Sequence, residues 1–497
     1  MAGWDVVVVG SGPNGLAAAV TLARAGLSVL VLEAAATPGG GARTEWLGLA
    51  DGVEHDLCSA VHPLALASPF FQAFDLAARG VELLLPQVQY AHPLDGGRAG
   101  IAYRDLERTA AGLGRDARAW RTLLGPLAGA PDATVALALG DRRLHRISLP
   151  DAATAVRVGA HLGLSVAEQG SPLWGVRFAE DVAPALLTGV AAHAITPLPG
   201  LVAAGTALLL GSLAHAGGWP IPRGGSGAIT AALLADLAAH GGQVRTGELV
   251  RGALPPARAY VFDTSPLAAA QILGERMPAA AARALRRFRY GNAAAKVDFV
   301  LSGPVPWTHP EVALAGTVHV GGGRAELVRA EREVARGRHA VRPVVLASDP
   351  TVVDPGRASG GLRPLWTYAH VPAGSGVDQT EAVTAQIERF APGFRDVVVA
   401  SRALTAQQMG EHNANYVGGD IAAGAVTAWQ MAARPTPRLP PYGTGVEGAY
   451  LCSASTPPGP GVHGLGGWYA ARRVLRDRFG IRELPSLAPV GLSRPGS

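Results

Sequence analysis

The chain has 497 residues, of which 48% are hydrophobic, 16% charged and 6% aromatic, a composition that excludes disordered, collagen-like and coiled-coil proteins. Its 43 lysines and arginines against 38 aspartates and glutamates give a net charge of +5, but the arginines are scattered and lack interleaved aromatic residues, which argues against a nucleic-acid partner. Only one of the 43 basic residues is a lysine, Lys296, so this position needs an explanation beyond the arginine bias of the chain.

The cysteines and the apolar segments indicate where the protein works. Cys58 and Cys452 have neither metal-ligand nor redox spacing, which suits a reducing compartment. The first residues run directly into an apolar strand, without the features of a secretion signal. The longest apolar stretch, residues 201–219, is interrupted by glycine and polar residues and reads as a buried helix or as one that dips into a membrane surface. We therefore expect a cytoplasmic protein, with peripheral contact to a membrane as an alternative.

The first elements in chain order predict a dinucleotide-binding unit. An all-apolar strand, residues 6–9, is followed by a glycine-rich loop, residues 10–15, and by an apolar helix, residues 16–25. A second strand, residues 28–32, ends at Glu33. The G-x-G-x-x-G fingerprint is specific in this context of strand, loop, helix, strand and acid.

Each position of the fingerprint has a physical role. Gly10 permits the tight turn, Gly12 lets the backbone approach a pyrophosphate at the helix N-terminus, and Gly15 lets helix and strand pack closely. Glu33 has nearly the spacing of a ribose-hydroxyl acceptor, which disfavours the 2′-phosphate of NADP. The dinucleotide contacts predicted here are Gly10, Gly12, Pro13, Asn14, Gly15 and Glu33.

A second glycine-rich segment favours FAD over NAD. Gly40, Gly41, Arg43 and Thr44 follow the acid after a short link. This run resembles the GG-x-x-R-[ST] extension of flavoproteins of the amine oxidase and phytoene desaturase type. Its glycines allow close backbone approach, and Arg43 can reach a phosphate or the flavin. FAD is therefore the expected cofactor.

The C-terminal part agrees with a flavin site. A short strand, residues 449–453, a proline-rich loop and a helix over residues 461–478 resemble the segment that places a helix N-terminus against the flavin ring in the same superfamily. Many of these flavoproteins have an aspartate for the ribityl chain, whereas this loop offers only hydroxyl side chains. The cofactor contacts expected in this part are Ser455, Gly461, Val462 and His463.

Motifs along most of the chain resemble those of phytoene desaturase-related FAD-dependent oxidoreductases, most closely the branch that contains pyridine nucleotide-disulfide oxidoreductase domain-containing protein 2. They lie at residues 218–220, 222–226, 288–291, 365–372, 388–394, 415–420 and 455–458. The resemblance implies an α/β fold in which a Rossmann-type FAD-binding domain, of the glutathione reductase and amine oxidase kind, is interleaved with an α+β substrate domain. The implied FAD-binding segments are residues 1–65, 220–285 and 432–482, the substrate segments are residues 66–219 and 286–431, and residues 483–497 form a flexible tail.

The chain departs from this pattern after Val250. Flavoproteins of this type insert a β-meander before the next apolar strand, whereas here a short link leads directly to residues 259–263. The assignment of Val250 to the adenine therefore rests on the resemblance alone. Residues 317–323 form a strand with three consecutive glycines rather than G-x-G-x-x-G, so we expect no NAD(P)H site and re-oxidation of the flavin by O₂ or a quinone.

Two residues are candidates for catalysis. Flavin amine oxidases of similar fold hold a lysine on a substrate-domain strand, where it anchors a water at the flavin, and Lys296 has this position. An ammonium is a compact donor that arginine cannot replace. His62 follows the Arg43 segment and, on the resemblance, passes beside the flavin, where it can act as a base near neutral pH. The alternatives are a lysine that reaches towards solvent and a hydrogen-bonded loop histidine.

Trp366, Tyr368 and His370 alternate along one strand and so point the same way. They either line a pocket or pack in the core, and we favour packing.

We expect an FAD-dependent oxidoreductase that desaturates a hydrophobic polyprenoid, carotenoid-like or lipid substrate by hydride transfer to the flavin. The substrate class rests on the resemblance and on the apolar helices over residues 66–215. A flavin amine oxidase-like enzyme and an FAD-binding interaction protein without turnover are the alternatives.

Overall fold

The computed structural model describes residues 3–141, 149–437 and 441–489. The strands in chain order are β1 (Trp4–Val9), β2 (Val29–Leu32), β3 (Thr44–Trp46), β4 (Glu54–Asp56), β5 (Leu83–Leu84), β6 (Val88–Pro93), β7 (Ala99–Tyr103), β8 (Ile221–Pro222), β9 (Gln243–Arg245), β10 (Ala257–Phe262), β11 (Ala293–Leu301), β12 (Ala315–Val320), β13 (Val345–Ser348), β14 (Arg363–Val371), β15 (Val398–Leu404) and β16 (Ala449–Leu451). The helices are α1 (Pro13–Arg24), α2 (Pro63–Ala67), α3 (Pro69–Phe74), α4 (Leu106–Gly112), α5 (Ala117–Ala128), α6 (Pro131–Leu139), α7 (Leu149–Gln169), α8 (Val182–Ala191), α9 (Leu201–Ala216), α10 (Gly227–Ala239), α11 (Pro266–Leu273), α12 (Ala279–Arg286), α13 (Arg324–Ala335), α14 (Thr380–Glu388), α15 (Phe394–Val397), α16 (Ala406–His412), α17 (Ala428–Ala433) and α18 (Leu465–Phe479).

The first main sheet is parallel, with the strand order β16-β10-β1-β2-β9. Its central strand β1 is apolar on both faces, as a doubly covered parallel strand requires. Val6 and Val8 point into a core shared with α1, α10 and α18, whereas Val7 and Val9 point into a core shared with α11 and α12. The sheet is thus the middle layer of an α/β/α sandwich. The strand order changes direction next to β1, where such folds bind their ligands at the carboxyl ends of the strands.

The second main sheet has seven strands in the order β15-β11-β14-β13-β12-β6-β7. Only β12 and β6 are parallel neighbours among them. One face carries an apolar core that includes Val297, Phe299 and Phe394. Because side chains alternate along a strand, the opposite face presents a second set, which we call the sheet floor. The sheet floor consists of Lys296, Asp298, Thr317, His319, Leu346, Trp366 and Tyr368.

Helices α4 to α9 cover the second sheet from the side of the sheet floor. Helix α9 is apolar along its length and packs against α5, α7 and α8 in a core with Trp120 and Trp219. In the described part of the chain, no helix alone has the length and apolarity to cross a membrane. One sharply bent pair, Gly114–Ala128 and Pro131–Leu139, meets the length and composition test for a broken span, a test that buried core helices also pass.

The fold class predicted from the sequence is confirmed, because a Rossmann-type parallel sheet is interleaved with a mixed second sheet and its helices. The strands of each main sheet lie within the segments predicted for the two domains. The first boundary differs, since Phe70, Phe71 and Phe74 of α3 belong to the core of the first sheet although residue 65 was the expected end of that segment. Residues 246–256 join β9 to β10 without a strand, as the short link indicated.

The expected flexible tail is packed in its first part. Arg24 donates hydrogen bonds to the carbonyl oxygens of Ser486 and Ala488, and Arg79 donates one to that of Leu487. Both arginines also form ion pairs with Asp236. Residues 483–489 are therefore held beside the helices of the first main sheet, and residues 490–497 lie outside the described part.

Candidate functional site

A cavity of about 880 Å³ begins at the carboxyl ends of the parallel strands and extends to the sheet floor. This volume lies in the upper part of the range for small-molecule sites. We name three parts of it. The nucleotide section is lined by residues in the ranges 9–14, 32–35, 248–250 and 263–264, and the middle section by residues in the ranges 40–43, 58–64, 453–454 and 460–462. The apolar channel is lined by residues of α6, α7 and α9. Beyond these parts the cavity ends on the sheet floor.

The glycine-rich loop lies between the ends of β1 and β10. Gly10 has a φ of +96°, a backbone conformation that favours glycine. A Cβ on Gly12 would lie 2.5 Å from Asp263 Oδ2, and a Cβ on Gly15 would lie 2.3 Å from the carbonyl oxygen of Gly10. Gly10, Gly12, Pro13 and Asn14 line the cavity. Gly15 lies behind them, so its role is the close packing that the sequence predicted rather than contact with a ligand.

Asp263 follows β10 directly and was not identified from the sequence. Its Oδ2 accepts a hydrogen bond of 2.9 Å from the Gly15 N–H, and its side chain is buried although it lines the cavity. Burial is the main cause that raises the pKa of this carboxyl to about 7, and the nearby charge of Glu33 adds to the effect. Its position at the carboxyl end of a strand next to β1 was the usable signal.

The Asp263→Asn variant should be more stable than the wild type at alkaline pH. Because the folded-state pKa is raised to about 7 from 3.8, folding favours the protonated carboxyl, and stability is lost as the pH rises through the folded-state value. Between pH 5 and pH 8 the wild type should lose roughly 2–3 kcal/mol of unfolding free energy relative to Asp263→Asn. Urea unfolding of both proteins at the two pH values measures this difference. A constant difference would contradict the assignment of the titration to Asp263.

Glu33 is placed as a ribose acceptor would be, at the end of β2. Its Oε2 accepts hydrogen bonds from Ser11 N (2.8 Å) and Ser11 Oγ (2.5 Å), and its Oε1 accepts one from Ala35 N (2.8 Å). A carboxylate has about four lone-pair positions, so one remains for a ribose hydroxyl in the cavity. The Glu248 N–H donates to the Glu33 carbonyl oxygen, which brings Val250 to the same end of the cavity.

Arg43 lines the middle section with its guanidinium held from several sides. It donates to the carbonyl oxygen of Gly40 (2.9 Å), to Thr37 Oγ1 (3.1 Å) and to His412 Nε2 (2.7 Å). Because arginine only donates, His412 Nε2 must be the acceptor. Burial, followed by the charge of Arg43, lowers the pKa of His412 to about 4, which keeps that acceptor free of a proton. Gly40 and Gly41 line the cavity beside Arg43, as predicted.

Three residues predicted to contact the cofactor lie behind the cavity wall. Thr44 Oγ1 donates to Asp56 Oδ1 (2.7 Å), and Ser455 Oγ donates to the carbonyl oxygen of Ala423 (2.7 Å). His463 Nδ1 accepts the Leu465 N–H (3.0 Å), and its Nε2 faces the carbonyl oxygen of Gly459 at 3.2 Å. The spacing of the motifs located these segments correctly, but local hydrogen bonds turn the three side chains away from the cavity.

Other residues of the same segments line the cavity near the start of α18. Gly461 and Val462, together with Ser453 and Ala454, line the middle section. The helix begins at Leu465, four residues after the predicted start. His463 therefore caps the first turn by taking the Leu465 N–H, which is one of the free donors of a helix N-terminus.

The residues present fit FAD. The two glycine-rich loops meet without side chains, because a Cβ on Gly40 would lie 2.9 Å from Gly12 Cα. Asn14 Oδ1, at the start of α1, is buried and has no hydrogen-bond partner among the described residues. The cavity then continues from the acceptor at Glu33 to the loop before α18, which is the order of parts that an extended dinucleotide requires.

His62 lines the middle section and has one defined tautomer. Ser226 Oγ donates its only proton to the carbonyl oxygen of Ser59 (2.5 Å), so it must accept from His62 Nε2–H at 2.8 Å. His62 Nδ1 is then an unprotonated acceptor, and it has no partner among the described residues. Burial lowers the pKa of His62 to about 4, so the ring is neutral across the usual working range. These contacts supply a base in the cavity, and its catalytic role stays a prediction.

Ser226→Ala should slow proton transfer through His62 without loss of fold. The substitution removes the acceptor that keeps the proton on Nε2, so the neutral ring can also adopt the tautomer with Nδ1 protonated. We expect the rate of flavin reduction by substrate to fall by about tenfold or more, and the pH dependence below pH 6 to change. Stopped-flow reduction over a pH series measures both effects. Ser212→Ala, which removes a comparable buried bond to the Leu209 carbonyl oxygen, should leave the rate unchanged.

Lys296 is buried on the sheet floor and does not line the cavity. Its Nζ forms an ion pair with Asp298, and it lies 5.9 Å from the centre of the Trp366 ring. The register places Lys296 directly opposite Tyr368, which does line the cavity, so the lysine lies beside a cavity-lining residue without lining the cavity itself. The alternative of a lysine that reaches to solvent is wrong, because its side chain is 2% exposed.

The aromatic residues of β14 divide between two environments. Trp366 and Tyr368 line the cavity with their rings in edge-to-face contact, 5.2 Å between centroids, and both also pack in a buried core cluster, so the two alternatives hold together for this pair. His370 is buried and forms an ion pair with Glu331 of α13. His193, Trp219 and residues of the apolar channel also line the cavity. Trp219 lies in the motif at residues 218–220 and the channel lies in the predicted apolar helices, whereas no motif had pointed to His193.

Comparisons with known proteins agree with the fold. Residues 8–76 match a family model described as an NAD(P)-binding Rossmann-like domain. Over 95% of this chain and 94% of its own length, pyridine nucleotide-disulfide oxidoreductase domain-containing protein 2 of Rattus norvegicus is 26% identical. An uncharacterized protein of Mycobacterium tuberculosis is also 26% identical, over 97% of this chain and 99% of its own length.

Two solved structures have the same fold. A putrescine oxidase with bound putrescine has a TM-score of 0.53 at 17% identity, covering 96% of this chain and 99% of its own. Cyclohexylamine oxidase from Brevibacterium oxydans has a TM-score of 0.52 at 15% identity, covering 95% of this chain and 98% of its own. The chain therefore has a mixed α/β fold similar to that of amine oxidases, and together the comparisons support an oxidoreductase of the flavin type.

Proposed function

We propose that this chain is an FAD-dependent oxidoreductase that desaturates a hydrophobic substrate of polyprenoid, carotenoid-like or lipid type. The observation that carries the proposal is one continuous cavity, which joins a dinucleotide loop to an apolar channel. The FAD would be held by the nucleotide section, with Glu33 at the ribose and the N-terminus of α1 at the diphosphate. When bound, FAD supplies an acceptor for a hydride, that is, for one hydrogen nucleus and two electrons.

The apolar channel favours a substrate without charge along its length. It is lined by seven large apolar side chains: Leu137, Leu139, Leu162, Val166, Val202, Leu209 and Leu210. Burial of apolar surface is the main source of affinity for such a substrate. A charged group in the channel would be desolvated without a partner, which is costly.

His62 supplies the second half of a desaturation. Formation of a C=C bond breaks two C–H bonds on neighbouring carbons: one hydrogen leaves as hydride and the other as a proton. His62 Nδ1 is a neutral, unprotonated acceptor in the middle section and can take that proton. Ser226 holds the ring in the required tautomer, and the buried walls exclude water from the reacting bond.

An amine oxidase-like reaction is the second candidate, because Trp366 and Tyr368 form an aromatic pair in the cavity. The two enzymes with similar solved structures are also named as oxidases of amines. The positions of the charged residues that line the cavity disfavour an amine substrate. Among the described residues, the carboxylates that line the cavity are Glu33, Glu248, Asp263 and Glu411, and none lies on the sheet floor beside the aromatic pair. A substrate ammonium would have no counter-ion there.

The electron acceptor in this proposal is O₂ or a quinone. The three glycines after β12 are not free to bind a second nucleotide, because a Cβ on Gly321 would lie 2.3 Å from Leu327 and the Gly323 N–H already faces Glu326 Oε1. The start of α13 is therefore occupied by its own capping interaction.

Anaerobic reduction by apolar extracts tests the proposal. Fractions of an apolar cell extract are mixed with the purified flavoprotein under anaerobic conditions, and the visible flavin absorbance is followed. Bleaching by a neutral lipid fraction, and recovery on addition of O₂ or a quinone, is the expected result. Bleaching by amines alone would instead establish the second candidate. A flavin that nothing reduces and O₂ does not turn over would indicate a binding protein without turnover.

We propose peripheral contact with a phospholipid bilayer through the outer side of α7 and the turn after it. Val156, Leu164, Leu173 and Val176 are each more than half exposed there, whereas other residues of α7 line the apolar channel. Apolar substrates reside in membranes, so this surface would place the channel next to its supply.

A vesicle experiment tests this contact. Wild-type protein should float with phosphatidylcholine–phosphatidylglycerol vesicles, and Leu164→Glu/Val176→Glu should reduce the bound fraction at least about tenfold. Val341→Glu places the same charge on a fully exposed valine elsewhere and should bind as the wild type does. Equal binding by all three proteins would exclude the surface.

A further inference from the structure

Two polar groups without partners belong to the sheet floor: Thr317 at the end away from Lys296, and Trp366 on the strand next to that of Lys296. Thr317 Oγ1 is buried, lines the cavity and has no hydrogen-bond partner among the described residues. Trp366 Nε1, nearer the middle of the sheet floor, has the same three properties. Buried polar groups in folded proteins are almost always hydrogen-bonded, so the unpartnered hydroxyl of Thr317, in a residue that lines the cavity, indicates a polar ligand group.

His193 completes the polar end beside Thr317. Its Nε2 lies 2.8 Å from Nε2 of His319, two residues along β12 from Thr317, so the two rings share one proton. Burial lowers the pKa of His193 to about 3 and that of His319 well below its usual range, and the neighbouring His92 and His370 act in the same direction on His319. The polar end is therefore uncharged at neutral pH.

No charged side chain completes this end of the cavity within the described residues. The charged groups of the lining are Glu33, Arg43, Glu248, Asp263 and Glu411, which belong to the nucleotide section or lie next to His412 and Arg43. Glu331 is behind the wall and paired with His370. Neither a carboxylate nor an ammonium of a ligand would find an opposite charge beside Thr317 and His193.

The register gives the distance from this polar end to Lys296. His319, Leu346, Tyr368 and Lys296 lie side by side on neighbouring strands, so the two ends are three strand spacings, about 14 Å, apart. Leu346 and Tyr368 line the cavity between them. The sheet floor thus has an uncharged polar end, and an apolar and aromatic surface separates this end from Lys296.

The structure assigns to Thr317 and His193 a subsite for an uncharged oxygen group, a hydroxyl or a carbonyl, of an amphipathic lipid. This inference deepens the proposed function: the lipid would be oxidised on the Lys296 and His62 side, about 14 Å from its polar end. It names the substrate class as a long neutral alcohol or ketone rather than a hydrocarbon, an acid or an amine.

Binding of four probes with the same chain length tests the subsite without turnover. Calorimetric titration of the flavoprotein at pH 7.5 with 1-decanol, 2-decanone, decanoate and decylammonium gives the affinities. The alcohol and the ketone should bind at least about fivefold more tightly than either ion, and Thr317→Val should lower both affinities about fivefold. Thr317→Ser keeps the hydroxyl and should retain the wild-type preference.

Thr206→Val is the matched control. Thr206 also lines the cavity, but its hydroxyl already donates to the Val202 carbonyl oxygen, so the preference among the four probes should not change. Tighter binding of decanoate or decylammonium, equal affinity for all four probes, or an unchanged preference in Thr317→Val would overturn the subsite. If the preference holds but no neutral lipid reduces the flavin, the subsite stands and the proposed function fails. If neutral lipids reduce the flavin without this preference, only the subsite fails.

Discussion

Gly12→Asp should fold normally and lose its FAD. The backbone at Gly12 has φ −64° and ψ 172°, which any residue can adopt, so the substitution introduces no conformational strain. Its Cβ would lie 2.5 Å from Asp263 Oδ2, and the new carboxylate would stand where the diphosphate approaches the start of α1. Two like charges and a steric block therefore act on the same point, and we expect at least a hundredfold weaker FAD binding, roughly 3 kcal/mol.

The measurement is the ratio of flavin to protein after purification and dialysis, with circular dichroism as the test of folding. Gly303→Asp is the control, because a Cβ there meets no atom within 4 Å and the residue lies far along the chain from the cavity-lining segments. Retention of flavin by a folded Gly12→Asp protein would contradict the location of the diphosphate. If Gly12→Asp loses flavin only because it unfolds, its circular dichroism spectrum will show the loss of secondary structure as well.

The nucleotide section could be predicted from the sequence because its residues are adjacent in the chain. The turn, the start of α1 and Glu33 at the end of β2 are set by local spacing, and Gly15 is required by a short distance to Gly10 within the same loop. The two interleaved domains were implied by the resemblance of motifs along the chain, whereas single apolar strands and helices could be recognised by their periods. The side chains of Thr44 and Ser455 could not be oriented, because their hydrogen-bond partners lie 12 and 32 residues away in the chain. The contacts of His463 lie within four residues, but they depend on where α18 begins.

The wall opposite the nucleotide section depends on strand register, which the sequence does not show. Thr317, Leu346 and Tyr368 share one face only because β12, β13 and β14 pair with a particular offset. A shift of one residue would turn all three into the opposite core. The same reasoning explains Asp263: its strand was recognised, but its contact with Gly15 needs β10 to lie beside β1, a pairing of segments about 250 residues apart.

Lys296→Met should destabilise the protein, and a double variant that also changes Asp298 should separate the effect on stability from an effect on catalysis. Lys296 and Asp298 are 2% and 3% exposed and are paired with each other, so removal of the ammonium leaves a buried carboxylate without its counter-charge. Loss of one member of a buried pair costs about 3–5 kcal/mol. The double variant Lys296→Met/Asp298→Asn removes the remaining charge and should recover most of that loss.

Activity of the double variant then decides the role of the only lysine in the chain. The ammonium can act on the flavin or on the reacting atoms through Trp366 and Tyr368. In that case, flavin reduction or re-oxidation should be at least about tenfold slower in both Lys296→Met and the double variant. Only Lys296→Met should also be unstable. Anaerobic reduction and O₂ re-oxidation, each followed by flavin absorbance, measure the two half-reactions separately. Lys296→Arg keeps a charge for Asp298 but not the compact ammonium, so it should be slow while retaining FAD. A double variant that is stable and fast would show that Lys296 serves the sheet floor as the partner of Asp298 and takes no part in the chemistry.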